Sequence, residues 1–178
     1  MALAGVVRRI VGRRIRLRDV EVSDAELILH LRLNFGQKIS PTDPDPAKQV
    51  VLLQKYKADP GSQYYFIIED ADGAHQYGCV RIYDLKPDSF CWGSWIISPD
   101  APVRAALESA QLIYEFGFYS LGFPGSHFDV RKNNPRVVRF HQTFGARIVA
   151  EDELNFYFRF SRGEYEQSRL KYAGPARG

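Results

Sequence analysis

Three aromatic-rich segments in the middle of the sequence, separated by two turns, constrain the fold most strongly. They are residues 63–70, 76–84 and 90–97. Each is rich in aromatic and β-branched side chains, which favour strands. Asp72-Gly73 is a hairpin signal, and Lys86-Pro87-Asp88-Ser89 is a second turn. Because strands joined by such short turns pair antiparallel, this part of the chain is predicted to be a three-stranded meander.

Helical patterns and further strands surround this meander. A strand at 14–18 and two helices, at about 23–34 and 46–58, precede it, and a long helix at about 102–120 follows. A strand, a helix that starts at Asn134-Pro135 and ends before Gly145, two strands and a short helix complete the chain. The order β-α-α-β-β-β-α-β-α-β-β predicts an α+β fold, with a mixed central sheet of six or seven strands and flanking helices.

The length of 178 residues suits a single domain. The alternation that begins at residue 14 places the start of this domain near residue 13. We therefore predict a flexible leader at 1–12, one domain at 13–172 and a disordered tail at 173–178.

Charge and composition exclude several classes of function. A formal net charge of +3 is low for a dedicated nucleic-acid-binding protein, and no segment approaches the roughly 20 apolar residues of a membrane span. The two cysteines, Cys79 and Cys91, belong to no metal-binding or disulfide motif. We therefore expect a cytoplasmic protein without a metal, whose partner is neither a membrane nor nucleic acid. The sequence leaves both a monomer and a homodimer open.

The segment 130–146 carries the best match to a known family. Its strand–Asn–helix–Gly pattern resembles that of the GNAT (GCN5-related) N-acetyltransferases. The matching positions are Val130, Asn134, Val137, Val138, His141 and Gly145. Glu108 and the segment 114–118 resemble the subgroup that contains the ribosomal-protein alanine acetyltransferases. The resemblance covers residues 14–162 and implies an enzyme that transfers an acetyl group from acetyl-CoA to a primary amine.

The resemblance also implies where acetyl-CoA binds. Backbone amides of Trp95, Ile96 and Ile97 would face the thioester oxygen. Asn134 would cap its helix, contact the pantetheine arm or do both, and Phe140 is a further candidate for CoA binding. Amides at the start of the helix at about 102–120 would hold the pyrophosphate. These are the amides of Val103, Arg104, Ala105 and Ala106. Arg104 stands where the family pattern has glycine, so it either adds a contact to phosphate or blocks it. Blocking would leave a CoA-binding module without turnover as the alternative.

Three residues are candidates for the proton transfers. His141 falls where the family places the group that protonates the CoA sulfur; its alternative role is a helix histidine bonded to the backbone. Asp129 and His127 alternate on one face of their strand, so both face the cleft or both face away from it. Either could be the general base, and a solvated or structural polar pair is the alternative.

Aromatic and acidic residues are the candidates for the acceptor side. Tyr83 and Trp92 could stack on a ring, and Asp43 could attract a cationic amine or simply form a turn. Arg14, Arg16 and Arg18 share one face of a strand, which solvent or a phosphate-bearing acceptor could occupy. We favour a small amine such as a nucleotide-linked amino sugar. A protein N-terminus is the alternative acceptor.

Overall fold

A single eight-stranded mixed sheet runs through the computed structural model, which describes residues 9–172. The strands are β1 (Arg9–Val11), β2 (Ile15–Asp19), β3 (Tyr64–Asp70), β4 (Gln76–Lys86), β5 (Ser89–Ile97), β6 (Gly125–Arg131), β7 (Arg147–Glu151) and β8 (Asn155–Ser161). The helices are α1 (Ala25–Phe35), α2 (Pro46–Ala58), α3 (Ala105–Glu115), α4 (Pro135–Phe144) and α5 (Arg162–Tyr172). Along the sheet the order is β1-β2-β3-β4-β5-β6-β8-β7.

The predicted α+β class, the meander and the final helix are confirmed, and the strand count is higher than expected. The additional strand is β1, which pairs antiparallel with β2 and occupies part of the predicted leader. Three residues carry too little alternation to be recognised as a strand without their partner. The rest of the predicted leader, 1–8, and the predicted tail, 173–178, lie outside the described residues.

The central strand β3 explains how the two faces of the sheet are covered. Its first six residues are all buried, as expected for a strand with helices on both sides. Phe66 and Ile68 pack in a core with Ile113 of α3, whereas Ile67 packs with Leu53 of α2 on the opposite face. Alternating side chains of one strand therefore hold helix layers on both sides of the sheet.

The sheet opens between β5 and β6, and this opening positions the candidate site. The two strands pair in parallel only over Ser89–Cys91 and Gly125–His127. Beyond Cys91, β5 follows β4, with an irregularity at Ser94, whose φ is +48°. Among the described residues, the edge of β5 that faces β6 therefore has no strand partner from Trp92 onward, and a cleft separates the two strands.

Gly78 on β4 is required for the course of β5 beside this cleft. A Cβ at Gly78 would lie 1.9 Å from the carbonyl oxygen of Ile96. Because a backbone atom cannot move aside as a flexible side chain can, we expect Gly78→Ala to lower the free energy of unfolding by about 2 kcal/mol. Gly163→Ala is the matched control, since a Cβ there meets nothing within 4 Å. Urea denaturation tests this, and equal stability of the two variants would contradict it.

Three further properties concern the described part of the chain. Between residues 9 and 172 no helix combines the length and apolar character needed to cross a bilayer. Within the same range, no three His, Cys, Asp or Glu side chains cluster as a metal site would require. Cys79 and Cys91 are both buried and free.

Candidate active site

The cleft between β5 and β6 brings together many of the residues that the sequence singled out. Its walls come from β5, from the last residues of β6, from α4 and from the segment after α1. Its lining includes Tyr83, Trp92, Gly93, Ser94, Trp95, Phe128, Asp129, Val130, Arg131, Asn134, Val137 and His141. The cavity has a volume of about 120 Å³. A concave site with convergent polar groups on an apolar wall is typical of a ligand site.

The unpaired edge of β5 forms one wall of the cleft and is fixed to α3. Trp95 Nε1 donates to Ser109 Oγ at 3.1 Å, and Ser109 Oγ donates to the carbonyl of Ala106 at 3.0 Å. Ile96, by contrast, is buried on the far face of the sheet. The backbone at 95–97 is therefore held beside the cleft by its side chains, while its edge toward β6 carries no strand of the described chain.

The start of α3 offers backbone amides to a ligand. Among residues 9–172, no backbone acceptor pairs with the amides of Val103, Arg104, Ala106 or Leu107. The amide of Ala105 is different, because it donates to the Pro102 carbonyl at 2.8 Å. Such free amides at a helix N-terminus favour an anion. Arg104 is exposed, and within the described chain its guanidinium has no hydrogen-bond or ion-pair partner, so no contact holds it across the amides.

His141 lies at the bottom of the cleft, in an aromatic cage. Only 3% of its surface is exposed, and the aromatic rings of Trp92, Trp95, Phe128 and Phe158 surround it. Burial lowers its pKa to about 3, so the imidazole is neutral near pH 7. Its Nδ1 is buried and has no partner in the described chain. His141 therefore does not titrate near neutral pH, as a proton shuttle would have to do.

Asn134 occupies the N-cap position of α4, as the sequence predicts, but it does not cap the helix with its side chain. The residue is buried, with 7% of its surface exposed, and it lines the cleft. Its side chain makes no hydrogen bond to other residues of the described chain. An amide that is not used for capping is available to a ligand in the cleft. Phe140, one turn before Phe144 on the same helix, packs on Trp95 with ring centroids 5.1 Å apart.

Asp129 is the carboxylate of the cleft. Asp129 is accessible from solvent, but desolvation by the surrounding protein raises its pKa above the ordinary value, and the nearby charge of Arg131 opposes this rise. Tyr83, whose pKa is also raised by burial, lies in the same cavity, and the Arg81 guanidinium stacks 4.9 Å from its ring centroid. A carboxylate with a raised pKa, opposite the unpaired edge of β5, is chemically suited to accept a proton.

His127 and Asp43 lie elsewhere. His127 Nδ1 is 2.8 Å from Ser89 Oγ, and its Nε2 is 2.9 Å from Asp84 Oδ2, so both ring nitrogens are engaged outside the cleft. Asp43 pairs with Lys48 and accepts from the Asp45 amide at 3.0 Å, which is the turn that the sequence allowed. Neither residue contributes to the lining of the cleft.

The arginines near the start of the chain hold the fold together. Arg16 Nε and Arg18 Nε donate to the two carboxylate oxygens of Glu69, at 2.7 Å and 3.2 Å, and Arg18 also pairs with Asp24 at 3.0 Å. Glu108 accepts the Arg14 amide at 2.9 Å and closes the turn between β1 and β2. A phosphate would have to compete with these internal carboxylates.

Sequence reasoning missed two arginines of the site. Arg32 donates from Nε to Thr42 Oγ1 at 2.8 Å and from Nη1 to Ser94 Oγ at 3.2 Å, which ties the loop after α1 to β5. No local pattern distinguishes Arg32 from other charged helix residues. Arg131 could have been found, because the alternation that pairs His127 with Asp129 continues to residue 131.

Comparison with known proteins agrees with this architecture. The family model described as acetyltransferase (GNAT) domain matches residues 14–147. The chain belongs to the GNAT acetyltransferase family. It is an N-acetyltransferase, and the superfamily predicted from its sequence is confirmed, whereas the finer subgroup stays a prediction. No curated protein sequence matches the chain.

Solved structures share the fold over nearly the whole length. FdhC, described as a nucleotide-linked sugar GNAT, is 41% identical, with a TM-score of 0.84, and the match covers 93% of this chain and 96% of that chain. A putative acetyltransferase from T. thermophilus is 17% identical, with a TM-score of 0.74 over 94% of this chain and 96% of the other. A variant of the spermidine N-acetyltransferase SpeG from Vibrio cholerae is 18% identical, with a TM-score of 0.70 over 85% of this chain and 95% of the other.

Proposed function

We propose that this N-acetyltransferase moves the acetyl group of acetyl-CoA to the primary amine of a nucleotide-linked amino sugar. The observation that carries this proposal is the cleft between β5 and β6, where an unpaired strand edge faces the carboxylate of Asp129. The 41% identity to a nucleotide-linked sugar GNAT supports the class of acceptor. The test below compares this acceptor with other amines.

The residues of the site fit acetyl-CoA. The free amides at the start of α3 suit a pyrophosphate, and the exposed Arg104 adds positive charge beside them. The unpaired edge of β5 suits the amide groups of pantetheine, which can hydrogen-bond to it as a neighbouring strand would. The side chain of Asn134 offers a further polar contact along this path. When bound, acetyl-CoA supplies the acetyl group as an activated thioester.

The protein supplies three interactions to the transfer. Asp129 accepts a proton from the substrate ammonium, which leaves a neutral amine whose lone pair can attack the thioester carbon. Backbone amides at 95–97 donate to the carbonyl oxygen as negative charge develops there. The neutral His141 donates a hydrogen bond to the sulfur as the C–S bond breaks. The second proton of the attacking amine passes to the departing CoA thiolate, and Asp129 returns the first proton to solvent, so the reaction releases the N-acetyl product, CoA and one proton.

The role of His141 follows from its burial. A neutral imidazole carries one N–H and gives it up only to a very strong base, so it stabilises a thiolate by donating a hydrogen bond. The unpartnered Nδ1 shows that the described part of the fold leaves hydrogen-bonding capacity unused in this ring. A group that touches the developing thiolate in a dry cage contributes more than the same group in water.

The test is product formation with a matched set of acceptors. We expect release of free thiol and an N-acetyl product with nucleoside-diphosphate-linked amino hexoses, and little turnover with spermidine or short peptides. Mass spectrometry of the product locates the acetyl group on nitrogen. Faster acetylation of a peptide N-terminus would favour the alternative acceptor. If calorimetry detects binding of acetyl-CoA but no amine leads to thiol release, the protein is a CoA-binding module without turnover.

A further inference from the structure

A second, larger cavity adjoins the inner cleft and belongs to none of the roles above. Its volume is about 610 Å³, and it lies between the end of α1, the loop that follows and the turn between β7 and β8. Arg32, Ile39 and Arg131 line both this outer cavity and the inner cleft. A ligand that reaches Asp129 from this side therefore passes through the outer cavity.

The outer cavity has a cationic wall. Three of its lining residues are basic and one is acidic; they are Arg32, Arg131, Lys132 and Glu153. Lys132 is already paired with Glu151 at 2.6 Å, and Arg32 is bound to Thr42 and Ser94. Within the described chain the Arg131 guanidinium has no hydrogen-bond or ion-pair partner. A guanidinium without a protein partner, at the passage between two cavities, is suited to a phosphate oxygen of a ligand.

The rest of the cavity offers apolar surface. Leu33 and Leu154 are 45% and 57% exposed, and Ile39 and Pro41 lie beside them in the lining. Exposed leucine side chains can pack on the face of a flat ring. Glu153 adds a carboxylate, which accepts hydrogen bonds from hydroxyl groups such as those of a ribose. The cavity therefore offers apolar side chains to a nucleobase, the carboxylate of Glu153 to a ribose, and the guanidinium of Arg131 to a diphosphate.

We infer that the outer cavity is a nucleoside-diphosphate subsite in which Arg131 binds the pyrophosphate of the acceptor while its amino group reaches Asp129. The inference rests on the proposed function and adds the residues that select the nucleotide. A polycationic amine meets the charge of Arg131 at the same passage and is repelled. A volume of about 610 Å³ lies within the usual range for sites that hold a ligand of this size.

The test variant is Arg131→Met, which keeps the length of the side chain and removes its charge. Arg169→Met is the matched control, because Arg169 lies on α5 and lines neither cavity. We expect Arg131→Met to raise KM for a nucleoside-diphosphate-linked amino sugar tenfold or more with a small change in kcat, since a charged hydrogen bond is lost. The KM for the same amino sugar without its nucleotide should stay unchanged, and the control should behave as the parent protein.

A second measurement does not depend on turnover. Calorimetry with uridine diphosphate and thymidine diphosphate, in the absence of acetyl-CoA, should show binding to the parent protein and to Arg169→Met, with about tenfold weaker binding to Arg131→Met. Equal binding by all three proteins would overturn the subsite even if the acetylation assay succeeds. Failure of every amine in that assay, with this difference in diphosphate binding intact, would reject the proposed function and retain the subsite.

Discussion

Replacing Asp129 with asparagine should lower kcat at pH 7 about a hundredfold, which is within the usual contribution of a positioned general base. Asparagine has nearly the same shape but cannot accept the ammonium proton. Because Asp129 acts only after it is deprotonated, kcat/KM of the parent enzyme should rise with pH through the pKa of its carboxyl group, which burial raises. In the parent enzyme this rise should level off above that pKa, whereas kcat/KM of the variant should keep rising with pH, because it depends on the neutral fraction of the amine. Initial rates of thiol release between pH 4.5 and 8 measure both effects.

Asp72→Asn is the control for this experiment. Asp72 lies in the turn between β3 and β4, away from the cleft, and its Oδ1 accepts the Ala74 amide at 3.0 Å, which an asparagine oxygen can also do. Its rate and pH profile should match those of the parent enzyme. Affinity for acetyl-CoA should be unchanged in both variants. Parental turnover of Asp129→Asn would remove the carboxylate from the mechanism and leave the binding of a small neutral fraction of the amine as the source of rate.

His127 and Asp129 show what the alternation of residues along a strand can predict and what it cannot. Alternation correctly placed both residues on one face of a strand. His127 pairs with Cys91 at the last position where β5 and β6 are still joined, so its ring meets Ser89 and Asp84. Asp129 follows two residues later, where the strands have separated. The divergence of β5 depends on its irregularity at Ser94 and on the contact of Gly78 with Ile96, which local pattern does not reveal.

For helix α4, the sequence predicts where the helix begins and ends but not what its side chains contact. The sequence predicted its start at Asn134-Pro135 and its end before Gly145, and both are confirmed; Gly145 adopts φ +114°. The sequence left open how the fold uses two polar residues, Asn134 and His141. The four rings of the cage around His141 come from three different strands, and only the packed fold shows that this cage excludes water. Conversely, Asn134 is free for the cleft because the helix does not use its side chain.

Replacing His141 with phenylalanine should lower kcat about a hundredfold while leaving the affinity for acetyl-CoA within about twofold. The estimate follows from the loss of one donor to developing charge in a water-excluded site. Phenylalanine fits the aromatic cage, so the variant should fold. Thiol release and calorimetry measure the two quantities. The companion variant His75→Phe replaces an exposed histidine that pairs with Asp70 in the hairpin after β3, and it should keep the parental kcat.

The same variant tests whether the imidazole is neutral. In the unfolded chain His141 takes up a proton near pH 6.5, whereas in the folded protein burial lowers its pKa to about 3. Protons therefore bind preferentially to the unfolded state between these values, and stability falls as the pH decreases through this window.

Relative to His141→Phe, the parent protein should lose about 1.4 kcal/mol of unfolding free energy for each pH unit below 6.5. Urea denaturation at pH 7.5, 5.5 and 4.5 measures this loss. Parallel pH dependence of the two proteins would mean that the folded imidazole takes up its proton as readily as the unfolded one, and the argument from burial for the role of His141 would have to be abandoned.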